Sequence, residues 1–368
     1  MNLIKIGKQI AALRKKQGLT GEKLAEILRV SPQAVSKWET GKCLPETATL
    51  PALAKALKCS IDELLMFADG VYFFDKIIEV EVRRQIGKAN DEELTESDII
   101  AVTELKLNNL GIDNIRDLSQ FCNLTHLEIM GNCINDLSPL SYLTKLQTLF
   151  AGNCPFSAKS ERINQNHYDN LECLASLVNL KNISFTACGI VDIEFMRHLV
   201  NLENAWLYSN KIEDISSLKN LTKLRKIYFF DCRLTEIEVV RHLPQLEGIA
   251  INMNQISHLS PLENCINLSY LDAHDNRISN INPLKKLTNM KYLALANNNI
   301  SNLDGLKNMQ RLEHLTLSFN PVARDISVVK DLRRLKHLEL FEMNISDDMK
   351  KDLKIALLEC EIYYENVE

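Results

Sequence analysis

Gln33, Ser36, Lys37 and Thr40 lie at intervals of three, one and three residues. Residues three and four apart share a face of an α-helix, so a helix here would line up a carboxamide, two hydroxyls and an ammonium. That row suits the edges of base pairs. A glutamine carboxamide pairs in bidentate fashion with adenine, and a lysine reaches guanine O6 and N7. Lys42, Arg29 and the hydroxyl of Thr20 flank the row. They suit phosphate oxygens, which set affinity and salt dependence but carry no sequence information.

Such a face has to be held in place. Ser31 is an N-cap with Pro32 in the first turn, which starts a helix, and Gly41 stops it. Val35 and Trp38 fall on the inward side. The preceding segment has Thr20 as its cap and Leu24, Ala25 and Leu28 as its apolar face. Ile6, Ile10 and Leu13 mark an earlier helix ending at Gly18, and "TATLPALAKALKCSIDELL" supplies two short ones more. Two helices joined by a three-to-four-residue turn, the second polar outside, form a helix-turn-helix.

The stretch "GLTGEKLAEILRVSPQAVSKWETGKCLPE" resembles the Cro/lambda-repressor-type helix-turn-helix, the XRE family, and the resemblance covers Ile4 to Leu65. It implies a five-helix, sequence-specific transcription regulator on double-stranded DNA, an ion pair between Arg14 and Glu39, and a homodimer on pseudo-palindromic sites. Two positions depart from the family pattern. Gly21 stands where a glutamine usually binds phosphate and braces the third helix. Arg29 stands where a turn glycine is usual, and a left-handed geometry there costs about 1 kcal/mol.

The rest of the chain repeats itself. The pattern L-x-x-L-x-L-x-x-N-x-I-x-x-I-x-x-L recurs eleven times, starting at Val102, Leu124, Leu146, Leu180, Leu202, Leu224, Leu246, Leu268, Met290, Leu312 and Leu335. The spacing is 22 residues except for 34 after Leu146 and 23 after Leu312. The L-x-L core predicts a short strand with leucines inward and the intervening side chains outward. The asparagine slot, where the chain leaves the strand, offers an amide to backbone groups otherwise buried and unpaired. Asn132, Asn210, Asn254, Asn276, Asn298 and Asn320 occupy it; Cys154, Cys188 and Cys232 fill it elsewhere, and Leu110 and Met343 at the ends.

This resembles the leucine-rich repeat family in its internalin-like form. The resemblance implies a curved parallel-sheet solenoid that binds proteins on its concave face. The expected fold is therefore multidomain: an all-α five-helix head and an α/β solenoid capped at both ends. The expected boundaries are 1–69 for the helix-turn-helix, 70–101 for a helical cap, 102–346 for the repeats with an insertion near 155–170, and 347–368 for a second cap of helix and short strand. Outward positions fall two, four and six residues after each start. Phe150, Trp206, Tyr208, Tyr228 and Phe230 then cluster over repeats three to six, with Met130 at the edge. In a chain only 6% aromatic that concentration marks a candidate partner-binding surface. Tyr270, Tyr292, His314 and His337 occupy one outward column further on; these histidines read as solvated surface rather than metal ligands.

Composition bounds the function. Residues 1–68 hold eleven Lys/Arg against six Asp/Glu, while the whole chain is at −5, which leaves −10 for the remainder. A basic head on an acidic body fits a polyanion-binding module joined to a domain that repels nucleic acid. Ten scattered cysteines with no C-x-x-C pair read as free thiols in a reducing compartment. No run reaches the roughly 18 apolar residues of a membrane span, and the N-terminus does not read as a signal peptide, so a cytoplasmic protein is expected; the internalin-like resemblance implies a bacterial one. No P-loop, H-E-x-x-H, G-x-S-x-G or metal-ligand cluster appears, so neither an enzyme, a cofactor nor a metal is expected. The leading expectation is a DNA-binding regulator whose solenoid binds a protein partner. The other is a cytoplasmic interaction scaffold whose head is vestigial or protein-binding. The polar face of Gln33, Ser36 and Lys37 favours the first.

Overall fold

The computed structural model describes residues 3–65, 71–153, 165–168, 170–321 and 326–365. They form two compact units, Met1–Lys76 with Ile86–Ala101, and Ile77–Gln85 with Val102–Glu368.

The first unit holds the helices α1 (Leu3–Lys16), α2 (Gly21–Leu28), α3 (Pro32–Glu39), α4 (Leu50–Leu57) and α5 (Ile61–Leu65). Ile6, Ile10, Leu24, Ala25, Val35, Trp38, Leu53, Leu57 and Leu64 make one buried cluster. Each fully buried Leu or Ile contributes about 1.5–3 kcal/mol. The helix starts are capped as the sequence requires: the Thr20 hydroxyl accepts from Lys23 N and the Ser31 hydroxyl from Ala34 N, both at 3.1 Å. Two further helices follow, α6 (Lys76–Ile86) and α7 (Glu96–Ala101).

The second unit is a solenoid. Its strands are β1 (Glu104–Lys106), β2 (His126–Glu128), β3 (Thr148–Phe150), β4 (Asn182–Ser184), β5 (Asn204–Trp206), β6 (Lys226–Tyr228), β7 (Gly248–Ala250), β8 (Tyr270–Asp272), β9 (Tyr292–Ala294), β10 (His314–Thr316), β11 (His337–Glu339) and β12 (Glu361–Tyr363). They form one parallel sheet in sequence order. Register follows the repeat, so Leu105, Leu127 and Leu149 lie side by side and are buried. Opposite the sheet the I-x-x-L half of most coils is a 3-10 turn, such as Ser216–Asn220. An Asp or Asn two residues earlier accepts the first N–H of many of these turns, as Asp214 does from Ser216 at 2.7 Å. After helix α8 (Asp347–Ala356), β12 extends the sheet past the last repeat. At the other edge the Gln85 side chain from α6 donates to Lys106 O at 2.8 Å and accepts from Lys106 N at 3.1 Å. That caps the exposed backbone of β1, the role a solenoid end demands.

The asparagine slot works as a ladder. Asn132, fully buried, accepts from Leu110 N and Ile112 N and donates to Leu107 O and Ile129 O. Asn210 repeats this three coils later. The Cys188 and Cys232 thiols aim at the corresponding carbonyls, Ala151 O and Thr186 O, and Leu207 O and Phe230 O. The third coil corrects the sequence reading. Cys154 lies outside the described residues, and the slot belongs to Asn166, which accepts from Ile134 N and donates to Ile129 O and Ala151 O at 3.0 Å each. The twelve extra residues are therefore 154–165, before the slot and not up to 170. Tyr168 then takes the inward isoleucine position, 7% exposed, with its hydroxyl donating to Ala151 O.

Leaving the strand requires a left-handed residue in most coils. Asn109, Ala187, Ser209, Asp231, Met253, Asp275, Asn297, Phe319 and Glu342 all have φ between 52° and 58°. Such a conformation costs an L-residue about 1 kcal/mol. Ladder hydrogen bonds lie next to most of these turns and offset it. No helix among the described residues is long and apolar enough to cross a membrane.

Candidate functional site

In the head, α3 presents Gln33, Ser36, Lys37 and Thr40 to solvent and buries Val35 and Trp38 at 1% and 6% exposure. Its far end is clamped to α1. Arg14 Nε and Nη2 donate to the two Glu39 carboxylate oxygens at 2.6 and 2.9 Å, and Nη1 donates to Leu19 O at 2.6 Å. Both side chains are over four-fifths buried, and the Glu39 hydrogen bonds push the Arg14 pKa up. One arginine thus ties the end of α3 to the loop before α2, and the expected ion pair is present.

Gly7 is a positioning residue that sequence reasoning missed. A Cβ there would lie 2.2 Å from Trp38 O and 2.7 Å from Glu39 O. The backbone of α1 therefore crosses the last turn of α3 at a distance open only to glycine. Nothing local in "IKIGKQI" betrays this, because the neighbour lies more than thirty residues away.

The flanking candidates divide by chemistry. Lys42 and Arg29 are exposed cations. Arg29 is the left-handed C-cap of α2, at φ 55°, with its N–H on Ala25 O and Glu26 O. The Thr40 hydroxyl already donates to Ser36 O at 2.7 Å. Its lone pairs remain for a base amino group, whereas a phosphate would need its proton. The Thr20 hydroxyl accepts from Lys23 N, which leaves its proton for an anion. Gly21 opens α2 with no atom within 4 Å of where a Cβ would stand, so a side chain there meets open space.

On the sheet, the aromatic candidates come together in two columns. Phe150 meets Trp206 edge to face at 5.9 Å, across the small, 9% exposed Ser184. Trp206 stacks on Tyr228 at 5.8 Å, and Tyr208 on Phe230 at 4.1 Å. His126 adds an edge contact to Phe150 at 5.8 Å. All these rings, and Met130, are half-buried. They lean over the small positions between them, which is why Ser184 and Thr186 are buried although they face outward.

A third column, further along the sheet, departs from the expectation of solvated histidines. Tyr270, Tyr292, His314 and His337 stack in succession at 4.5, 4.3 and 4.3 Å, and Tyr363 closes the row at 5.0 Å. Parallel strands about 4.8 Å apart bring equivalent side chains within ring-stacking distance. Burial, then the neighbouring His337, push the His314 pKa down, and its Nδ1 is buried without a partner. His337 Nε2 instead meets Glu339 at 2.7 Å. His274 Nδ1 donates to Asp272 at 2.6 Å, which raises its pKa above the ordinary 6.5.

Two buried thiols and one group of carboxylates were the other candidates for chemistry among the described residues. Burial drives the Cys188 thiol to about 12 and the Cys265 thiol to about 11, away from reactivity. Glu104, His126 and Glu128 could surround a cation, but the Lys106 ammonium already lies 3.1 Å from Glu104 and 3.5 Å from Glu128.

Comparison with known proteins places both parts. The family described as Helix-turn-helix matches residues 10–64, and Leucine Rich repeats (2 copies) matches residues 266–308. The HTH-type transcriptional activator BcrR of Enterococcus faecalis is 42% identical over 62 residues, 17% of this chain and 30% of that protein. Repressor protein C2 of Salmonella phage P22 is 42% identical over 65 residues, 18% of this chain and 30% of that protein. The chain thus spans less than a third of the length of these two relatives. An internalin (inlF) of Listeria monocytogenes shares 27% identity at a TM-score of 0.65, covering 83% of this chain and all of that one.

Proposed function

We propose that this chain, which joins an XRE-type helix-turn-helix domain to an internalin-like leucine-rich repeat solenoid, is a sequence-specific DNA-binding transcription regulator whose solenoid captures a protein partner on its concave face. The observation that carries the reading is α3 itself: a capped helix, clamped by Arg14 and Glu39, with Gln33, Ser36 and Lys37 exposed together on its outward face. In this reading α3 enters the major groove. Gln33 and Lys37 read base edges, Ser36 and Thr40 take adjacent polar contacts, and Thr20, Arg29 and Lys42 hold phosphates. The head docks on DNA as a homodimer over two half-sites about 34 Å apart.

Phe150, Trp206, Tyr208, Tyr228, Phe230 and Met130 are the proposed partner contacts. Large half-buried rings supply contact area at little entropic cost, which is the usual make-up of interface hot spots. The test is capture of interacting proteins by the full chain, with and without Trp206→Ala and Tyr228→Ala. The pair should abolish capture and leave DNA binding intact; unchanged capture would contradict the assignment.

A further inference from the structure

The concave face divides by charge. Over β1–β6 and the turns that follow, its outward positions carry Lys106 and Lys226 beside Glu104, Glu128 and Asp231. Over β7–β11 they carry Asp272, Asp275, Glu339 and Glu342, with no lysine or arginine among the described residues. The positions between these acids are small: Ala250, Ala294, Thr316 and Ser318 are each under a tenth exposed and form a floor. The stack from Tyr270 to Tyr363 walls one side. Its rings stack on one another, so their faces are largely covered. Asn252 borders the floor at 6% exposure with its side-chain oxygen buried and unpartnered, and its amide nitrogen lies 3.4 Å from His274 Nε2.

We infer that this half of the concave face docks a cationic segment of the protein partner, with lysine or arginine side chains lying over the alanine floor to meet Asp272 and Glu339. The inference rests on the concave face being the partner surface, and gives that partner its chemistry: apolar anchors over β3–β6, basic residues over β8–β11. Asp272 and Glu339 each have one histidine contact, to His274 and His337. Among the described residues, however, no lysine or arginine stands beside the four carboxylates at the outward positions of β7–β11, so this half of the face attracts cations and repels phosphate, and a nucleic acid does not fit here. From β6 to β11 is five strand spacings, about 24 Å, which a helix of roughly 16 residues covers.

The full-length protein, immobilised, is used to select from a displayed library of random peptides of about that length, in parallel with Asp272→Asn/Glu339→Gln and with Trp206→Ala/Tyr228→Ala. Peptides selected by the unmodified protein should be enriched in lysine and arginine. A synthetic copy of one should bind the Asp272→Asn/Glu339→Gln protein roughly tenfold more weakly, and should weaken on the unmodified protein as salt rises from about 50 to about 500 mM. No basic enrichment, or binding indifferent to both the carboxylates and salt, overturns the inference. Peptides without basic bias that depend on Trp206 and Tyr228 overturn it while sparing the concave reading. Selection that depends on neither pair overturns both.

Discussion

The head and the solenoid hold their outward side chains in opposite ways. In the head, α3 owes its pose to a few contacts between residues distant in sequence: Arg14 with Glu39, Gly7 against Trp38, and a core drawn from five helices. In the solenoid, every outward residue is placed by the coil before it and the coil after it, through one repeated register and one ladder. A change in the head should therefore act as a whole, whereas a change in the solenoid should act locally, as expected for a quasi-one-dimensional array. The head is built to aim one helix; the solenoid is built to display a long surface whose halves can carry different chemistry.

The sharpest way to break the comparison is to cut the ladder. Asn210→Ala leaves the N–H groups of Cys188 and Ile190 without their acceptor, a loss of about 3 kcal/mol or more. Hydrogen exchange should rise in the coils around residue 210 while α1–α5 keep their protection; uniform loss across both units would contradict local action. Gly7→Ala is the counterpart. It should cost the head about 2 kcal/mol by overpacking and weaken DNA binding, with the solenoid unchanged, read by exchange and by DNA titration.

Arg29→Gly separates stability from binding within the head. Relief of the left-handed residue should raise stability by about 1 kcal/mol. Loss of a phosphate contact should lower the salt slope of DNA binding by about one. A slope left unchanged would remove Arg29 from the interface. The smallest effect concerns His274. Its raised pKa means that the Asp272 contact stabilises fully below pH 6.5 and loses that contribution as pH rises through the folded value. An imidazole titration followed by NMR should place the midpoint above 6.5 in the unmodified protein and lower it in Asp272→Asn.

Legibility followed the same division. The solenoid could be read because its physics is local: a 22-residue period fixes strand, slot and outward columns together. The third coil's slot is readable too, since "NHYDNL" from Asn166 matches "NCINDL" from Asn132; Cys154 competes for it because cysteine fills the same slot in the next coils. The ring stack from Tyr270 to Tyr363 was legible as a column but not as a stack, because ring depth depends on the small residues beside it. In the head, the caps and Trp38 followed from spacing, and the Arg14–Glu39 pair from the family resemblance. Gly7 did not, since its requirement arises only where two helices cross.

The proposed function stands or falls with DNA reading by the outward face of α3. Selection from randomised duplexes with the full protein, repeated with Gln33→Ala and with Lys37→Ala, tests it most directly. One pseudo-palindromic site should be enriched, with each substitution costing about 1–3 kcal/mol and relaxing specificity at its own base position. No enriched sequence, or the same site with unchanged affinity in both variants, would contradict it.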